Sequence, residues 1–394
     1  MNSEQLKQVY AYLDGKQEEM AKVLEELVSL ESHTHNVEGV KAVQRRVAEL
    51  FEAEGMKCEL VEGGGPNAPT LLGVLGADRP GKPAAFSGHL DTVIKKGVYP
   101  EPVFRREGMK AFGPGVLDMK GGVVISLYVV KALNSAGYQE RPIKIAYSGD
   151  EEIGHAQDEK NAAILTETAA GLACDFNMET SLLNNTICVG RKGRLGVNIT
   201  VTGVESHAGN DFASGRNAIA EMAHKIIKIQ ELTDLERDLT VSVGIISGGT
   251  VANAIPKTCT VEIDIRFSDL ASMEYCREQL EAITAERHIP DTSAEMVVAS
   301  KMPPFECTDQ VMGFFKFMQE TAKECGLQEL NAKKLGGGSD ASYIQMAGIP
   351  VVCSTGITGE WNHTTREYAL LDSMIPRAKL LASVIMNLNK YEAK

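Results

Sequence analysis

The sequence predicts an α/β domain built on a partly parallel sheet and interrupted by a smaller α+β domain. Three observations predict it. Between about 57 and 178, short apolar runs alternate with helix-length amphipathic stretches, the pattern of strands joined by crossover helices. From about 193 to 301 the order becomes β-α-β-β-α-β, the ferredoxin-like arrangement of one sheet with both helices on one face. Beyond about 302 the first style returns. The expected organisation is residues 1–192 and 302–394 as one domain, with 193–301 inserted as another.

Each element has its own signal. Met20, Val23, Leu24, Leu27 and Val28 recur at helical spacing, as do Val40, Val43, Val47, Leu50 and Phe51, so two amphipathic helices open the chain. Strands follow at 57–62, 69–75 and 83–88, separated by Gly and Pro. A helix at 119–135 carries Val123, Val124, Leu127 and Val130 on one face. A strand at 142–148, a helix near 157–169 and a strand at 174–178 complete the first half. In the insert, strands are expected at 197–203, 239–247, 257–267 and 294–299, with helices at 215–231 and 271–286. Cys259, Val261, Ile263, Ile265 and Phe267 alternate cleanly, the mark of a half-buried strand. A helix at 309–325, a short helix after Ser339, a strand at 349–354 and a helix at 368–388 finish the chain.

Composition narrows the function classes. A formal net charge of -13 argues against nucleic acid or an acidic membrane as partner, since either would want a basic face. No window approaches the roughly 18 unbroken apolar residues of a membrane span. The start, "MNSEQLKQVYAYLDGKQEEM", is charged and has no apolar signal core, so a cytoplasmic location is expected. The 8 cysteines are scattered with no Cys-x-x-Cys, which suits reduced core thiols.

Acids and histidines gather where the strands of the larger domain end. "SGHLDTV" puts His89 and Asp91 there, and "SGDEEIGH" puts Asp150, Glu151 and Glu152 after the 142–148 strand. "NMETS" supplies Glu179, "WNHTTREY" supplies His363, and the Gly-rich loop "GPGVLDMKGG" supplies Asp118. Ligands of open α/β sheets bind beyond the carboxyl ends of the strands. So many carboxylates at one edge repel one another unless a cation lies among them. Imidazole with carboxylate suits zinc. Five segments that supply candidate ligands suggest two metals sharing a bridging carboxylate, about 3.5–4 Å apart. A lone His-x-Asp pair is usually structural, and "DEE" alone is usually a solvated loop; the joint placement favours metal. No Walker lysine–serine pair follows the glycines of "GPGVLDMKGG", which excludes a phosphate loop.

These motifs, with "SHAG", "GGTVANAIP", "DIR" and "GGGSDA" in the same order, resemble metallopeptidase family M20, which includes glutamate carboxypeptidase, succinyl-diaminopimelate desuccinylase, acetylornithine deacetylase and peptidase T. The resemblance implies a zinc-exopeptidase-like catalytic domain, a mixed sheet flanked by helices, with the insert as lid and dimerisation domain. It implies two Zn2+ per subunit, with Co2+ or Mn2+ as alternatives. His89 and Glu179 would complete one metal site, Glu152 and His363 the other, and Asp118 would bridge. Asp91 would accept the second ring N–H of His89. Glu151 would be the general base. A cis peptide between Asp118 and Met119 is also implied.

In the insert, His207, Asn253 and Arg266 match family residues that touch substrate. His207 would stabilise the oxyanion, from the partner subunit in dimeric members. Arg266 would clamp a carboxylate. Gly337, Gly338 and Ser339 resemble the loop that takes the substrate carboxylate through backbone N–H groups. The other five histidines, His33, His35, His155, His224 and His288, match no ligand position and are expected as surface or packing residues.

The function so implied is hydrolysis of an amide bond next to a free carboxylate in a small peptide, by a carboxypeptidase or dipeptidase working as a homodimer. Glu179, where aminopeptidases of the family carry Asp, favours the carboxypeptidase and deacylase branches. An N-acyl-amino-acid deacylase is the alternative at the same site. A non-catalytic metal-dependent binding protein is the alternative of another class, and the intact Glu151 argues against it.

Overall fold

A computed structural model describes residues 3–156 and 159–392. The chain divides into two compact units. The larger comprises Met1–Gly190, Cys307–Leu335 and Ser339–Lys394. The smaller comprises Arg191–Glu306 and takes in Gly336–Gly338, so it exceeds the 193–301 segment at both ends.

The larger unit holds a six-stranded mixed sheet. Its strands lie in the order Lys57–Val61, Ala68–Leu75, Ile143–Gly149, Ala84–His89, Cys174–Asn177 and Val351–Val352. The first two joins are antiparallel. The other three are parallel, so four neighbouring strands point their carboxyl ends to one edge. The strand Ala84–His89 lies inside the parallel block, and every residue in it is buried. Strands covered on both faces lose the in–out alternation, which is why this stretch shows none.

The helix Lys120–Ser135 departs from expectation. It is buried on nearly every side, not on one face. Helices Ser3–Leu13, Gln17–Ser29 and Met374–Glu392 all pack against it. The first of these is absent from the sequence reading, although Leu6, Val9 and Leu13 form its buried stripe. The last helix begins at Met374, not at 368. That start keeps Pro376 in the first turn, where a missing N–H costs nothing; a start at 368 would place it in the helix interior. Tyr368–Leu370 instead pairs antiparallel with Lys110–Phe112 in a small sheet beside the site. The helix expected near 157–169 is seen as Glu159–Ala169, its first two expected residues lying outside the described ones.

The smaller unit is one antiparallel sheet with the strand order Thr240–Gly248, Thr258–Phe267, Gly193–Thr202, Ser293–Met302. Numbered along the chain this is 2-3-1-4, the ferredoxin-like order. Helices Ala218–Gln230 and Leu270–Ala285 pack on the same face. Both start on a side-chain cap: Asn217 accepts the N–H of Ala220, and Asp269 that of Ser272. Val197, Ile199, Val261, Ile263, Ile265, Met222 and Leu280 form the core between helices and sheet. Among the described residues no helix is long and apolar enough to cross a membrane.

Candidate metal centre and active site

The parallel strands deliver the site. His89 is the last residue of Ala84–His89. Asp150, Glu151 and Glu152 follow Ile143–Gly149, the latter two on a single 3-10 turn. Glu179 stands two residues past Cys174–Asn177. Asp118 comes from the loop before Lys120–Ser135, and the glycines around it have a packing role. A Cβ at Gly122 would strike the carbonyl of Met178, the residue before Glu179. Gly115 has φ +74°, and a Cβ there would meet Thr92 Cγ2 at 2.7 Å. The Asp118–Met119 peptide is cis. His363 arrives on a loop in which Trp361 and His363 itself have left-handed backbone, with φ +68° and +62°.

Asp118 divides its two oxygens between two histidines. Oδ1 lies 3.2 Å from His89 Nε2, and Oδ2 lies 3.1 Å from His363 Nε2. On the outer sides, Glu179 Oε1 is 3.2 Å from His89 Nε2, and Glu152 Oε2 is 3.2 Å from His363 Nε2. The result is two sets of three groups that share one carboxylate. Glu151 Oε2 stands 4.0 Å from His89 Nε2. Donor atoms of His89, Glu151 and Glu179, and of His89, Asp118 and Glu152, lie within 4.8 Å of one another. Mixed imidazole and carboxylate donors at this spacing fit divalent zinc, cobalt or manganese.

Asp91 is tied to this cluster in two ways. His89 Nδ1 is 3.1 Å from its backbone oxygen and 3.4 Å from its carboxylate. The same carboxylate also accepts the backbone N–H groups of Glu151 and Glu152, each at 3.2 Å. It therefore positions the acidic turn as well as the imidazole.

The charges are strongly perturbed. Burial opposes protonation of His89, but hydrogen bonds to Asp118, Asp91 and Glu179 hold it well above the usual imidazole range. Hydrogen bonds to Asp118 and Glu152 push His363 up to about 11. Burial works to raise Asp118, yet His363 and His89 hold it well below the usual carboxylate range. Burial pushes Glu151 well above its ordinary value, with Glu179, Asp340 and Glu152 adding to the effect and His89 opposing it. Burial and the charge of Asp118 bring Glu152 to about 7. A carboxyl raised in a cleft of like charges is what general base chemistry near neutral pH requires.

The remaining candidates divide between the units. In the smaller unit, His207 pairs with Ala254, and Ala208 N donates to Asn253 O, so His207 and Asn253 sit together on the surface. His207 Nδ1 accepts the N–H groups of Gly209 and Asn210, at 3.1 and 3.0 Å. Its Nε2 then carries the proton. Arg266 is engaged locally, with Nε and Nη2 on the two oxygens of Asp264. The carbonyls of Gly337 and Gly338 accept from Arg191. In the larger unit, Ser339 is fully buried and its hydroxyl donates to Asn177, so an anion could use only its backbone.

Several residues at the site lie outside the sequence reading. Glu367 is buried and accepts the N–H groups of Gly115, Leu117 and Asp118, at 3.3, 2.9 and 3.0 Å. It sits four residues past His363 in the quoted "WNHTTREY", and that spacing is its only signal. Lys120 is buried with its ammonium on Leu30 O, and burial lowers it to about 7. His155, expected as a surface or packing residue, is buried between Asp150 and Asp340.

The chain is also similar to known proteins. The family model "Peptidase family M20/M25/M40" matches residues 85–387. Carboxypeptidase G2 of Pseudomonas sp. (strain RS-16) is 28% identical over 95% of this chain and 90% of its own length. Succinyl-diaminopimelate desuccinylase 2 of Ruegeria sp. (strain TM1040) is 28% identical over 81% of this chain and 83% of its own. The crystal structure of aminopeptidase PepT from Bacillus cereus superposes with a TM-score of 0.78 at 21% identity, covering 95% of this chain and 99% of that one.

Proposed function

The chain belongs to peptidase family M20/M25/M40, a family of hydrolytic, metal-dependent enzymes, and from that premise we propose that it cleaves an amide bond beside a free carboxylate, as a carboxypeptidase or dipeptidase. The observation that carries this reading is the division of Asp118 between His89 and His363, with Glu151 beside them. His89, Asp118 and Glu179 would hold one cation, and His363, Asp118 and Glu152 a second. Two zinc ions, when bound, would polarise the scissile carbonyl and make water a better nucleophile. Glu151 takes the proton from the attacking water and returns it to the leaving nitrogen. Asp91 holds the backbone of Glu151 and the ring of His89 in register. His207 supplies an N–H to the developing oxyanion, and Asn253 orients the substrate. Backbone N–H groups of Gly337, Gly338 and Ser339, with Arg266 once released from Asp264, receive the free carboxylate.

A second reading, N-acyl-amino-acid deacylation, is supported by the similarity to the desuccinylase. The residue roles are the same; only the acyl group differs. The deciding experiment is a substrate panel on metal-analysed protein: dipeptides, the same dipeptides amidated at the C-terminus, and N-acetyl and N-succinyl amino acids. Turnover of free but not amidated dipeptides is expected, with about two metal ions per chain. Preference for the acyl amino acids selects the second reading, and no turnover with metals bound leaves a binding protein.

The smaller unit would also serve a homodimer. Its sheet ends in two edge strands that expose Ile245, Ile246, Val297 and Val298, and an unpaired apolar edge is a template for a second copy. The eight cysteines form no disulfide and five of them are buried, which supports a reducing, cytoplasmic setting.

A further inference from the structure

The turn that carries Glu151 and Glu152 is short, with one 3-10 hydrogen bond of its own, Gly154 N to Glu151 O. Such a turn does not hold its side chains still, so its placement comes from outside. One support is Asp91, described above. The other lies on the far side of the turn. His155, with left-handed backbone at φ +55°, brings its ring back to Asp150 at the start of the turn. Its Nδ1 is 2.7 Å from Asp150 Oδ1, and its Nε2 is 2.7 Å from Asp340 Oδ1. All three side chains are at most 1% exposed. Every other oxygen of the two carboxylates is also engaged. Asp150 Oδ2 accepts from Asn67 at 2.8 Å and Asn161 at 3.0 Å, and Asp340 Oδ2 accepts from Ser148 at 2.6 Å. Tyr343 meets the imidazole edge-on at 5.1 Å between ring centres.

We propose that His155 is a positioning residue: by bridging Asp150 and Asp340 it clamps the Glu151–Glu152 turn to the segment that begins at Ser339. Two buried carboxylates facing one imidazole require a donor on each ring nitrogen, which the imidazolium alone provides. Losing the imidazole leaves two buried carboxylates without their shared donor, so the clamp holds as a unit. The turn it fixes bears the proposed base and one proposed ligand. The inference therefore rests on the functional reading above, but it also predicts an effect on metal binding that needs no substrate.

The test compares His155→Gln and Asp340→Asn with the parent as full-length protein. Zinc and cobalt affinities are measured by competition with a chromophoric chelator, backbone amide exchange of residues 150–155 by mass spectrometry, and kcat and KM on the best substrate of the panel. Both variants should bind the weaker of the two metals about 10- to 100-fold less tightly. They should exchange amides at 150–155 faster, and lower kcat with KM within about twofold. The double variant should lose no more than the worse single one. A purely structural role would lower the denaturation midpoint yet leave the metal affinity of the folded protein unchanged, and that result overturns the proposal. So does a fall in affinity that is additive in the double variant. If His155→Gln does not fold, Asp340→Asn, which removes one buried anion and keeps the His155–Asp150 pair, decides alone. A parent that binds two metals but turns over nothing would refute the functional reading and leave the metal-affinity comparison intact.

Discussion

The two units handle polar residues in opposite ways. In the larger unit, His89, Asp91, Asp118 and Glu179 are all buried together, and the neighbours of His89 and Asp118 set the charge state of those two. In the smaller unit, His207 and Asn253 are exposed, Arg266 is partly so, and local groups satisfy His207 and Arg266. The buried cluster joins function to stability, because removing one charge leaves another uncompensated. The exposed set can change with little effect on folding. Substitutions in the first region should therefore move metal content, melting temperature and rate together, and substitutions in the second should move rate alone.

The largest effect is expected at Glu151, which under the proposed reading is the base and not a metal ligand, and so stands apart from the joint movement expected of the ligands. Glu151→Gln should lower turnover by about 10³- to 10⁴-fold while metal content stays at the parental level. Unchanged turnover would remove Glu151 from the role of base. His207→Ala, in the exposed set, should lower kcat by about 100-fold with the melting temperature within about 1 °C of the parent. If activity is untouched, the smaller unit serves only assembly. Stripping metal with a chelator should lower the melting temperature by roughly 5 °C or more, in a metal-concentration-dependent way. Calorimetry that shows the loss in the transition of the smaller unit would reverse the assignment.

The smallest effect concerns Asp175. Its Oδ1 accepts from Ser87, its Oδ2 has no partner, and burial pushes it up to about 8. Between about pH 4 and pH 8 the unfolded chain has released this proton and the folded chain keeps it. Stability is thus fully present below the unfolded value and is lost as pH rises toward 8. Asp175→Asn should raise the melting temperature by about 3 °C at pH 7.5 and by almost nothing at pH 4. Thermal scans at the two pH values measure the difference, and an equal shift at both would show that Asp175 does not titrate in this interval.

Sequence carries some of this far better than the rest. Strands and helices with one clean period, such as Thr258–Phe267, are legible because a sheet face and a core impose a two-residue rhythm. The residues at the metal cluster are legible because each lies in a distinct motif, most of them just past an apolar strand and Asp118 in a Gly-rich loop. Elements whose surroundings are set by distant chain are not. The helix Lys120–Ser135 is buried all round because three helices remote in sequence cover it. Tyr368–Leu370 is a strand only because Lys110–Phe112 offers an edge. His155 is silent for the same reason: nothing near it in sequence announces Asp340, which reaches it across 185 positions.

A carboxylate whose two oxygens serve different halves of a centre makes those halves a single mechanical part. Under the proposed reading, moving Asp118 to suit one cation disturbs its neighbour equally. Selection or engineering that aims to change the preference of one half has only its outer members to adjust: Glu179 on the deep side, Glu152 and the half-exposed His363 on the other.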